Sequence, residues 1–371
     1  MLPKQLHIVA FNVPYPPDYG GVIDLYYKMK ALHDAGAAIH LHCFSYGRPV
    51  AKELKLLCER VYDHPRHSGL RYLLAKRPYV VATRNANTVP EILLKDEYPV
   101  LFEGLHTTAS LQACSEAGKT CLVRAHNIEH AYYKGLAQAE KRADKRFYFH
   151  MEARKLQRYE PILKKADHIL AISSSEAAYF ESQYGNTTLI PAFHKFGQVA
   201  SLRGSGTYIL FHGNLGVVEN QRALLYLLNG PLGSGKHPLV VAGKNPGRAI
   251  RHKLSGLKNC RLHANPGDEQ LEALIRNAHI NLLYTHQATG LKLKLLHALF
   301  AGRHCMVNPE MVQGSGLEKL CLLYRNNHEL ELLTDEYMNR PFEEADTAKR
   351  TRVLGDYDNV RNAQKLLSLL P

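Results

Sequence analysis

Residues 119–136, KTCLVRAHNIEHAYYKGL, contain one complete unit of the predicted fold, a short strand followed by a long helix. The stretch KTCLVRA is largely apolar and follows the helix-stopping Gly118, so it predicts a buried strand that ends at Ala125. His126 then lies at the carboxyl end of this strand. In a parallel sheet, this is the end at which ligands bind.

The same alternation of short apolar strands with amphipathic helices runs through the whole chain. It indicates β-α-β units, in which a parallel sheet carries helices on both faces. In the first half, strands are predicted at 6–13, 38–45, 99–103, 119–125, 168–173 and 188–191. In the second half, they are predicted in YILFHGN, PLVVAGK, CRLHANP, HINLLYTH and RHCMVNP.

We therefore predict an α/β protein with two doubly wound, Rossmann-like domains and a ligand-binding cleft between them. The first domain is predicted at residues 1–195 and the second at 204–341. SLRGSGT, at 201–207, consists mainly of small residues and is the predicted linker, within a hinge region near 192–207. The last segment, 342–371, has no strand of its own, so we expect it to be helical and to pack back on the first domain.

The composition is typical of a globular protein, since 45% of the 371 residues are hydrophobic and 22% are charged. No stretch approaches the roughly 20 consecutive apolar residues that a membrane-spanning helix requires. The chain begins without the charged segment, apolar segment and cleavage site of a secretory signal. Its seven cysteines are an odd number with no C-x-x-C spacing, which predicts reduced core residues in a cytoplasmic protein.

The formal net charge is +13 at pH 7, which favours a phosphate-bearing ligand, a nucleic acid or an anionic membrane surface. Lys and Arg are concentrated between residues 130 and 165. This segment is either a solvated helical face or a surface for anionic lipid, which would place the protein peripherally at the inner face of the membrane. No base-reading motif accompanies the charge, so we do not expect nucleic acid as a partner.

The sequence HNIEH, from His126 to His130, matches the H-x-x-E-H signature of one class of zinc metalloproteases. Such a site needs both histidines and Glu129 on one helix, so that the two rings face the same ion. The predicted strand places His126 before the helix, and no third ligand is evident. We therefore expect no metal here. A surface histidine in a turn and a histidine in a binding site remain as interpretations.

Glycines and polar residues follow several predicted strands, where backbone amides and a helix N-terminus can bind phosphate. They are Gly20 and Gly21 in the first domain, Gly213 and Asn214 after the first strand of the second domain, and Lys244 after the next strand. Tight turns without a ligand are the alternative explanation.

The segment THQATGLKLKLLHALFAGRHCMVNP carries the strongest indication of an anionic ligand. Gly290 is predicted to begin a helix that Gly302 ends, with Lys292 and Lys294 in its first turn. Lysines at that end oppose the helix dipole, which suggests that they face negative charge. Because residues two apart diverge on a helix, we expect only one lysine to face the ligand. The alternative is that both are solvated.

Taken together, the G-x-K-x-K helix, the double glycine after the first strand, and LVRAHNIE followed by a long helix and ADHILAIS resemble GT-B glycosyltransferases of the family 4 type. The resemblance covers nearly the whole chain. It implies a nucleotide-sugar donor, whose diphosphate binds the second domain without a metal ion, and a glycan or lipid-linked acceptor at the first domain. It also implies transfer with retention, in which the leaving phosphate takes the acceptor proton.

The resemblance also suggests which residues act on the substrates. His126 would lie beside the reacting sugar and Lys292 would stabilise the leaving diphosphate, which makes both candidate catalytic residues. The candidate donor-binding residues are Gly20, Gly21, Gly213, Asn214, Lys244, Gly290, Lys294 and His297. No cofactor is expected besides the nucleotide sugar, which is a co-substrate.

The chain departs from the family pattern in its second domain. Family members commonly carry two glutamates, E-x7-E, across the G-x-K helix, where this chain has Thr289 and His297. Basic residues expected after the first strand of that domain are replaced as well, with Asn214 and Glu219 near those places. A non-catalytic protein that binds sugar nucleotides or glycans on the same fold is therefore the alternative.

Overall fold

The computed structural model describes residues 3–287 and 292–371. The chain forms two compact units. Unit 1 consists of Met1–Lys195 together with Asp356–Pro371, and unit 2 consists of Phe196–Gly355. Gly290 and Thr289, which the sequence analysis singled out, lie outside the described residues.

Unit 1 is built on a seven-stranded sheet. Its strands are β1 (Lys4–Ala10), β2 (Ala37–Ser45), β3 (Arg60–Pro65), β4 (Val100–Glu103), β5 (Cys121–Ala125), β6 (His168–Ala171) and β7 (Thr187–Leu189). Their order is β3-β2-β1-β4-β5-β6-β7, and all neighbouring strands run parallel. Helices cover both faces, so a central strand such as β4 is buried at every position.

The helices of unit 1 connect these strands. They are α1 (Gly20–Asp34), α2 (Leu70–Leu73), α3 (Tyr79–Ala82), α4 (Thr88–Leu93), α5 (Leu111–Glu116), α6 (Glu129–Ala139), α7 (Ala143–Tyr159) and α8 (Ser174–Tyr184). In α1, Val22, Leu25 and Met29 are spaced by three and four residues and form one buried face. Helix α8 begins where the Ser173 hydroxyl accepts a hydrogen bond from the backbone amide of Glu176.

Unit 2 repeats this architecture with six parallel strands. They are β8 (Ile209–His212), β9 (Leu239–Gly243), β10 (Cys260–Ala264), β11 (Ile280–Leu283), β12 (His304–Val307) and β13 (Leu322–Leu323), in the order β10-β9-β8-β11-β12-β13. The helices are α9 (Val218–Leu228), α10 (Arg248–Ser255), α11 (Asp268–Asn277), α12 (Leu293–Ala301), α13 (Pro309–Val312), α14 (Asn327–Tyr337) and α15 (Glu344–Leu354).

The segment 342–371, predicted as one helical piece, is divided between the two units. Helix α15 belongs to unit 2, whereas the last helix, α16 (Asn359–Leu367), belongs to unit 1. Ala363 and Leu366 of α16 are fully buried in the same apolar core as Leu25 and Met29 of α1. The core of unit 1 is therefore built from both ends of the chain.

The predicted fold class, two doubly wound α/β domains, is confirmed by the two parallel sheets. The sequence does not predict β3 or β13. Strand β3 reads RVYDHP and has no apolar run, and β13 has only two residues, so neither has the pattern of a buried strand.

The predicted linker at 201–207 is hydrogen-bonded within unit 2. The backbone amide of Gly204 donates to the carbonyl of Phe342 at 2.9 Å, and the amide of Phe342 donates back at 3.1 Å. The amide of Gly206 donates to Nδ1 of His279 at 2.9 Å. The small residues in this segment permit close approach to unit 2, and the segment is not a free linker.

A row of histidines crosses the sheet of unit 1. His7 of β1, His42 of β2 and His64 of β3 are 1%, 0% and 3% exposed. Nδ1 of His7 lies 3.0 Å from Nε2 of His42, and Nδ1 of His42 lies 3.2 Å from Nε2 of His64. Nε2 of His7 donates to Asp96 at 3.0 Å. Burial lowers the pKa of all three rings, that of His42 to about 2, so neutral rings satisfy one another inside the sheet.

The substitution Gly206→Ala is expected to destabilise unit 2. A Cβ atom at this position would lie 2.5 Å from the carbonyl oxygen of Asn277 and 2.6 Å from the amide of His279, and neither backbone atom can rotate away. We expect urea unfolding to show a loss of about 1–3 kcal/mol. Gly197→Ala is the matched control, because a Cβ there meets no atom within 4 Å. Equal unfolding midpoints for the two variants would contradict the close approach.

Candidate active site

Each unit has a switch point at which the order of its strands reverses. In unit 1 it lies between β1 and β4, and in unit 2 it lies between β8 and β11. Ligands of doubly wound sheets bind outside the carboxyl ends of the strands at such a point. The residues that follow these strands are therefore the candidates for a functional site in each unit.

Unit 1 holds a buried charge cluster next to its switch point. It consists of Asp24 and Lys28 of α1, Glu103 at the end of β4, and Arg124 of β5, none more than 2% exposed. Arg124 contacts both oxygens of Asp24, at 2.9 and 3.2 Å. Nζ of Lys28 donates to Asp24 at 3.0 Å and to Glu103 at 2.9 Å. Burial favours neutral acids, but Arg124 and Lys28 outweigh it and hold the pKa of Asp24 well below its usual range.

The cluster also fixes the backbone around it. The amide of Phe193 donates to Oδ1 of Asp24 at 2.8 Å. Arg124 in turn donates to the carbonyl oxygens of Ile190 and Pro191. Because every charge has a partner of opposite sign and further hydrogen bonds, the cluster joins α1, β4, β5 and the segment 190–193 into one rigid assembly.

His126 follows β5, as the sequence predicts, and is oriented by this cluster. Its Nε2 lies 3.5 Å from Asp24 and 3.3 Å from Glu103. Burial opposes protonation, but hydrogen bonds and charge interactions with these two carboxylates outweigh it and raise the pKa of His126. The two carboxylates thus favour positive charge on the His126 ring through Nε2.

The structure does not contain the zinc arrangement suggested by HNIEH. Helix α6 begins at Glu129, so His126 precedes it, and Nδ1 of His130 lies 2.9 Å from Glu160. Among residues 3–287 and 292–371, the group of side chains close enough to hold a metal ion is Asp24 with Glu103 and His126. The ammonium of Lys28 already donates to both of those carboxylates and supplies the positive charge there.

Gly20 and Gly21 are the first two residues of α1, where the sequence predicts a close approach. At Gly21 a side chain is excluded by Phe11, since a Cβ would lie 2.7 Å from Cζ of its ring. The ring of Phe11 stands edge-on to His126, with centroids 5.7 Å apart. Gly21 thus leaves space for the ring of Phe11, which packs beside His126.

Two titratable groups next to His126 were not predicted. Nε2 of His106 lies 3.7 Å from Oε2 of Glu129. Burial raises the pKa of Glu129 to about 7. Burial, Arg84 and His126 together hold the pKa of His106 well below its usual value. A neutral imidazole therefore stands beside a carboxyl group that changes charge near neutral pH.

In unit 2, several of the predicted residues come together at the end of β8. Asn220 of α9 connects them: its Nδ2 donates to the carbonyl of Asn214 at 3.0 Å, and its Oδ1 lies 3.5 Å from Nζ of Lys294. A Cβ at Gly213 would lie 3.3 Å from Cγ of Asn220. The carbonyl of Tyr284, which follows β11, is 3.4 Å from the same ammonium. Gly213, Asn214 and Lys294 thus lie together around Asn220, and their role in donor binding stays a prediction.

Histidines lie beside Lys294. The ring of His297 on α12 is 6.3 Å from that of His212, which ends β8. Burial, with His297 and Lys294, lowers the pKa of His212 to about 3, so this ring is neutral. Its Nε2 is buried without a hydrogen-bond partner in the described part of the chain. Burial also lowers the pKa of Lys294, and Glu219 opposes this shift.

The prediction that Lys292 and Lys294 both lie in the first turn of a helix requires α12 to begin at Lys292 or earlier, but it begins one residue later. Its first residue is Leu293, so Lys292 is the N-cap residue with an extended backbone, and only Lys294 lies within the first turn. Gly290, predicted to begin this helix, lies outside the described residues. The expected divergence of two lysines on one helix therefore does not apply. Gly302 ends the helix, as predicted.

Lys244 and Glu219 hold the loops next to this site in place. The carbonyl of Lys244, after β9, accepts from the amide of Gly216 at 3.2 Å, which ties the loops after β8 and β9 together. Glu219 accepts from the hydroxyl of Thr285 at 2.6 Å and from the amide of His286 at 3.0 Å. Glu219 therefore fixes the loop after β11.

The sequence did not predict the buried charge cluster, because its members Asp24, Lys28, Glu103 and Arg124 lie within predominantly apolar segments. Asp24 and Lys28 lie four apart within the buried face of α1, and Arg124 lies within an apolar strand. Opposite charges inside otherwise apolar segments are the signal that could have revealed them, because such residues are rarely buried unless they are paired.

We expect Lys28→Met to destabilise the protein strongly. The change leaves the buried carboxylates of Asp24 and Glu103 with one cation fewer, which typically costs about 3–5 kcal/mol. Lys30→Met is the matched control on the same helix, because Lys30 pairs with Asp34 at 2.8 Å while both side chains are half exposed. Such a surface pair contributes about 0–1 kcal/mol. Denaturant unfolding that shows equal losses would contradict the role of the cluster.

Three solved structures illustrate what the whole chain is similar to. The sucrose-phosphate synthase of Thermosynechococcus elongatus is 16% identical with a TM-score of 0.65, covering 99% of this chain and 98% of that chain. A glycosyltransferase of Rickettsia africae is 13% identical with a TM-score of 0.64, covering 99% and 97%. LpCGTa in complex with UDP is 11% identical with a TM-score of 0.56, covering 99% of each chain.

No protein family model matches the chain. A relative described as an uncharacterized 44.6 kDa protein in the cps region of Klebsiella pneumoniae is 26% identical over 321 residues, 80% of each chain. The matches to these solved structures extend over 99% of this chain and so include both units. The chain therefore has the GT-B fold.

Proposed function

We propose that the protein is a glycosyltransferase that moves a sugar from a nucleotide-sugar donor to a glycan or lipid-linked acceptor, with retention and without a metal ion. The observation that carries the proposal is the arrangement of Gly213, Asn214, Asn220 and Lys294 at the switch point of unit 2. It occurs within a fold whose solved examples include a complex with UDP.

The donor diphosphate is proposed to bind at the start of α12. Helix N-termini attract anions, and Lys292 and Lys294 add positive charge at this end of the helix. Gly213 has no side chain, which leaves room for the Asn220 amide that contacts Lys294. Preorganised donors at a leaving group of this kind each contribute roughly 3–4 kcal/mol to lowering the barrier.

The sugar of the donor is proposed to meet the imidazole of His297, at a position where the family commonly has a glutamate. His297 occupies one of the two glutamate positions, and its ring lies 4.9 Å from Phe196 and 6.3 Å from His212. The neutral, buried His212 can hydrogen-bond a sugar hydroxyl through Nε2. This difference supports a donor sugar other than those read by two carboxylates.

His126 is proposed to donate a hydrogen bond to the donor sugar as the bond from its anomeric carbon to the diphosphate breaks. The carboxylates of Asp24 and Glu103 are paired with cations, so neither serves as nucleophile or base. As the resemblance to retaining enzymes implies, the acceptor proton is assigned to the leaving phosphate, while the acceptor oxygen bonds to the anomeric carbon on the same face. The relative from a cps, or capsule, region supports a role in polysaccharide synthesis.

We expect Lys292→Ala to lower the rate of sugar transfer at least about tenfold, because one preorganised cation at the leaving diphosphate is lost. The assay follows release of the nucleoside diphosphate, after a thermal-shift screen of nucleotide sugars has identified a donor. Lys253→Ala, on the exposed side of α10, is the control. A variant that keeps the full rate would remove Lys292 from the catalytic residues.

The same screen tests the alternative of a binding protein without turnover. A nucleotide sugar that raises the unfolding temperature, but is neither transferred nor hydrolysed with any acceptor tried, would favour that alternative. Turnover of the bound donor would exclude it.

Metal independence is tested by chelation together with two histidine variants. We expect transfer to persist in excess chelator, and His126→Ala to reduce it much more than His130→Ala. The reason is that His126 lies at the buried cluster, whereas His130 pairs with Glu160. Stoichiometric zinc in the purified protein, with equal losses in both variants, would overturn this assignment.

A further inference from the structure

Two segments of unit 1 expose large apolar side chains. Leu70 and Leu74, at α2 and directly after it, are 76% and 85% exposed. Phe147 and Met151 on α7 are 68% and 37% exposed. In each pair the residues are four apart, and on a helix this spacing places both side chains on one face.

The two segments are fastened to each other. Nζ of Lys155 on α7 donates to the carbonyl oxygen of Leu73 at 2.6 Å. Glu152 of α7 accepts from the amide of Tyr79 at 2.6 Å, just beyond the α2 segment. The two apolar pairs therefore belong to the same part of unit 1, which we call the α2–α7 face.

The two segments also carry many exposed cations. The exposed cations within 70–77 and 141–158 are Arg71, Lys76, Arg77, Lys141, Arg142, Lys145, Arg146, Arg154 and Arg158. Within the same two ranges, which the structure describes in full, the exposed acid is Asp144, bound to Arg142 at 2.7 Å. Glu152 is buried and paired with Lys155. The face thus carries a large excess of positive charge.

We propose that the α2–α7 face docks unit 1 on an anionic lipid bilayer. The four apolar side chains enter the interface, and the cations meet the headgroup phosphates. Long Lys and Arg side chains can reach the phosphates while the apolar side chains lie deeper. A bilayer accepts protruding side chains without matching pockets, whereas a protein partner needs a complementary surface. Each cation near an anionic bilayer adds to the attraction.

None of the described helices is long and apolar enough to span a membrane. The α2–α7 face accordingly concerns attachment at the surface of a bilayer. It does not depend on the proposed transfer reaction, because docking needs neither donor nor acceptor.

Insertion can be measured with a tryptophan reporter, because the natural chain contains no tryptophan. In Phe147→Trp, we expect fluorescence to be quenched by vesicles of equal parts brominated phosphatidylcholine and phosphatidylglycerol. Vesicles of brominated phosphatidylcholine alone should quench much less. Leu332→Trp, 56% exposed on α14 of unit 2, is the matched control and should not be quenched. Equal quenching of the two reporters, or none in Phe147→Trp, overturns the proposal.

Flotation of the full chain with vesicles of equal parts phosphatidylcholine and phosphatidylglycerol measures affinity. We expect Leu70→Ser/Leu74→Ser and Phe147→Ser/Met151→Ser each to weaken binding about tenfold or more, because each removes apolar contact with the bilayer. Leu332→Ser should bind like the wild type. Lys145→Glu/Arg146→Glu changes only exposed residues, so its circular dichroism should be native while its vesicle binding falls.

Salt and a second polyanion complete the test. Binding should weaken between low and about 1 M salt, where the screening length shrinks to about 3 Å. No flotation of the wild type, or flotation that the two apolar double variants leave unchanged, overturns the proposal. Binding of duplex DNA as tight as that of vesicles, and insensitive to the apolar variants, also overturns it and assigns the face to a polyanion. Because the vesicles contain no donor or acceptor, these outcomes are independent of whether the protein is a transferase.

Discussion

The neutralisation of two buried carboxylates is the constraint on which the organisation of unit 1 depends. Asp24 and Glu103 are almost completely buried, so each needs a cation within hydrogen-bonding distance. The chain meets this requirement with Lys28 from the same helix and Arg124 from a neighbouring strand. The requirement therefore sets where α1 lies against the sheet, and it orients His126 as well.

Unit 2 organises its site differently. Neutral amide groups hold its loops, with Asn220 connecting the loop after β8 to Lys294 and Asn308 exchanging hydrogen bonds with the backbone of Thr285. Lys294 is partly buried, and burial lowers its pKa. Among the described residues, it donates hydrogen bonds to neutral oxygens of Asn220 and Tyr284, whereas Lys28 contacts two carboxylates. Such a cation is stabilised by an anionic ligand, whereas Lys28 is already neutralised. In unit 1 the buried cations are thus neutralised by carboxylates, whereas in unit 2 the charge of Lys294 is left for an anionic ligand.

The sequence was sufficient for the architecture because both sheets repeat one apolar pattern. It also placed His126 correctly. The apolar segment before His126 predicts a strand, so His126 could not lie with His130 on one face of a single helix. It failed for the charge cluster, because Asp24 pairs not only with Lys28 on its own helix but also with Arg124, which lies 100 residues away and is related to it by no local period. It also failed for the start of α12, where leucine and lysine alternate and no capping residue marks the first turn.

The division of unit 1 between the two ends of the chain has a consequence for biosynthesis. A ribosome makes residues 1–195 first, then the whole of unit 2, and only then the residues of α16. Until these emerge, the surface of α1 that receives Ala363 and Leu366 has no cover, so the nascent unit 1 carries an open apolar groove throughout the synthesis of unit 2. Cotranslational folding can therefore begin with unit 1, but the core of that unit is completed only after α16 has been made. Chaperones that bind exposed apolar grooves have that whole interval in which to act.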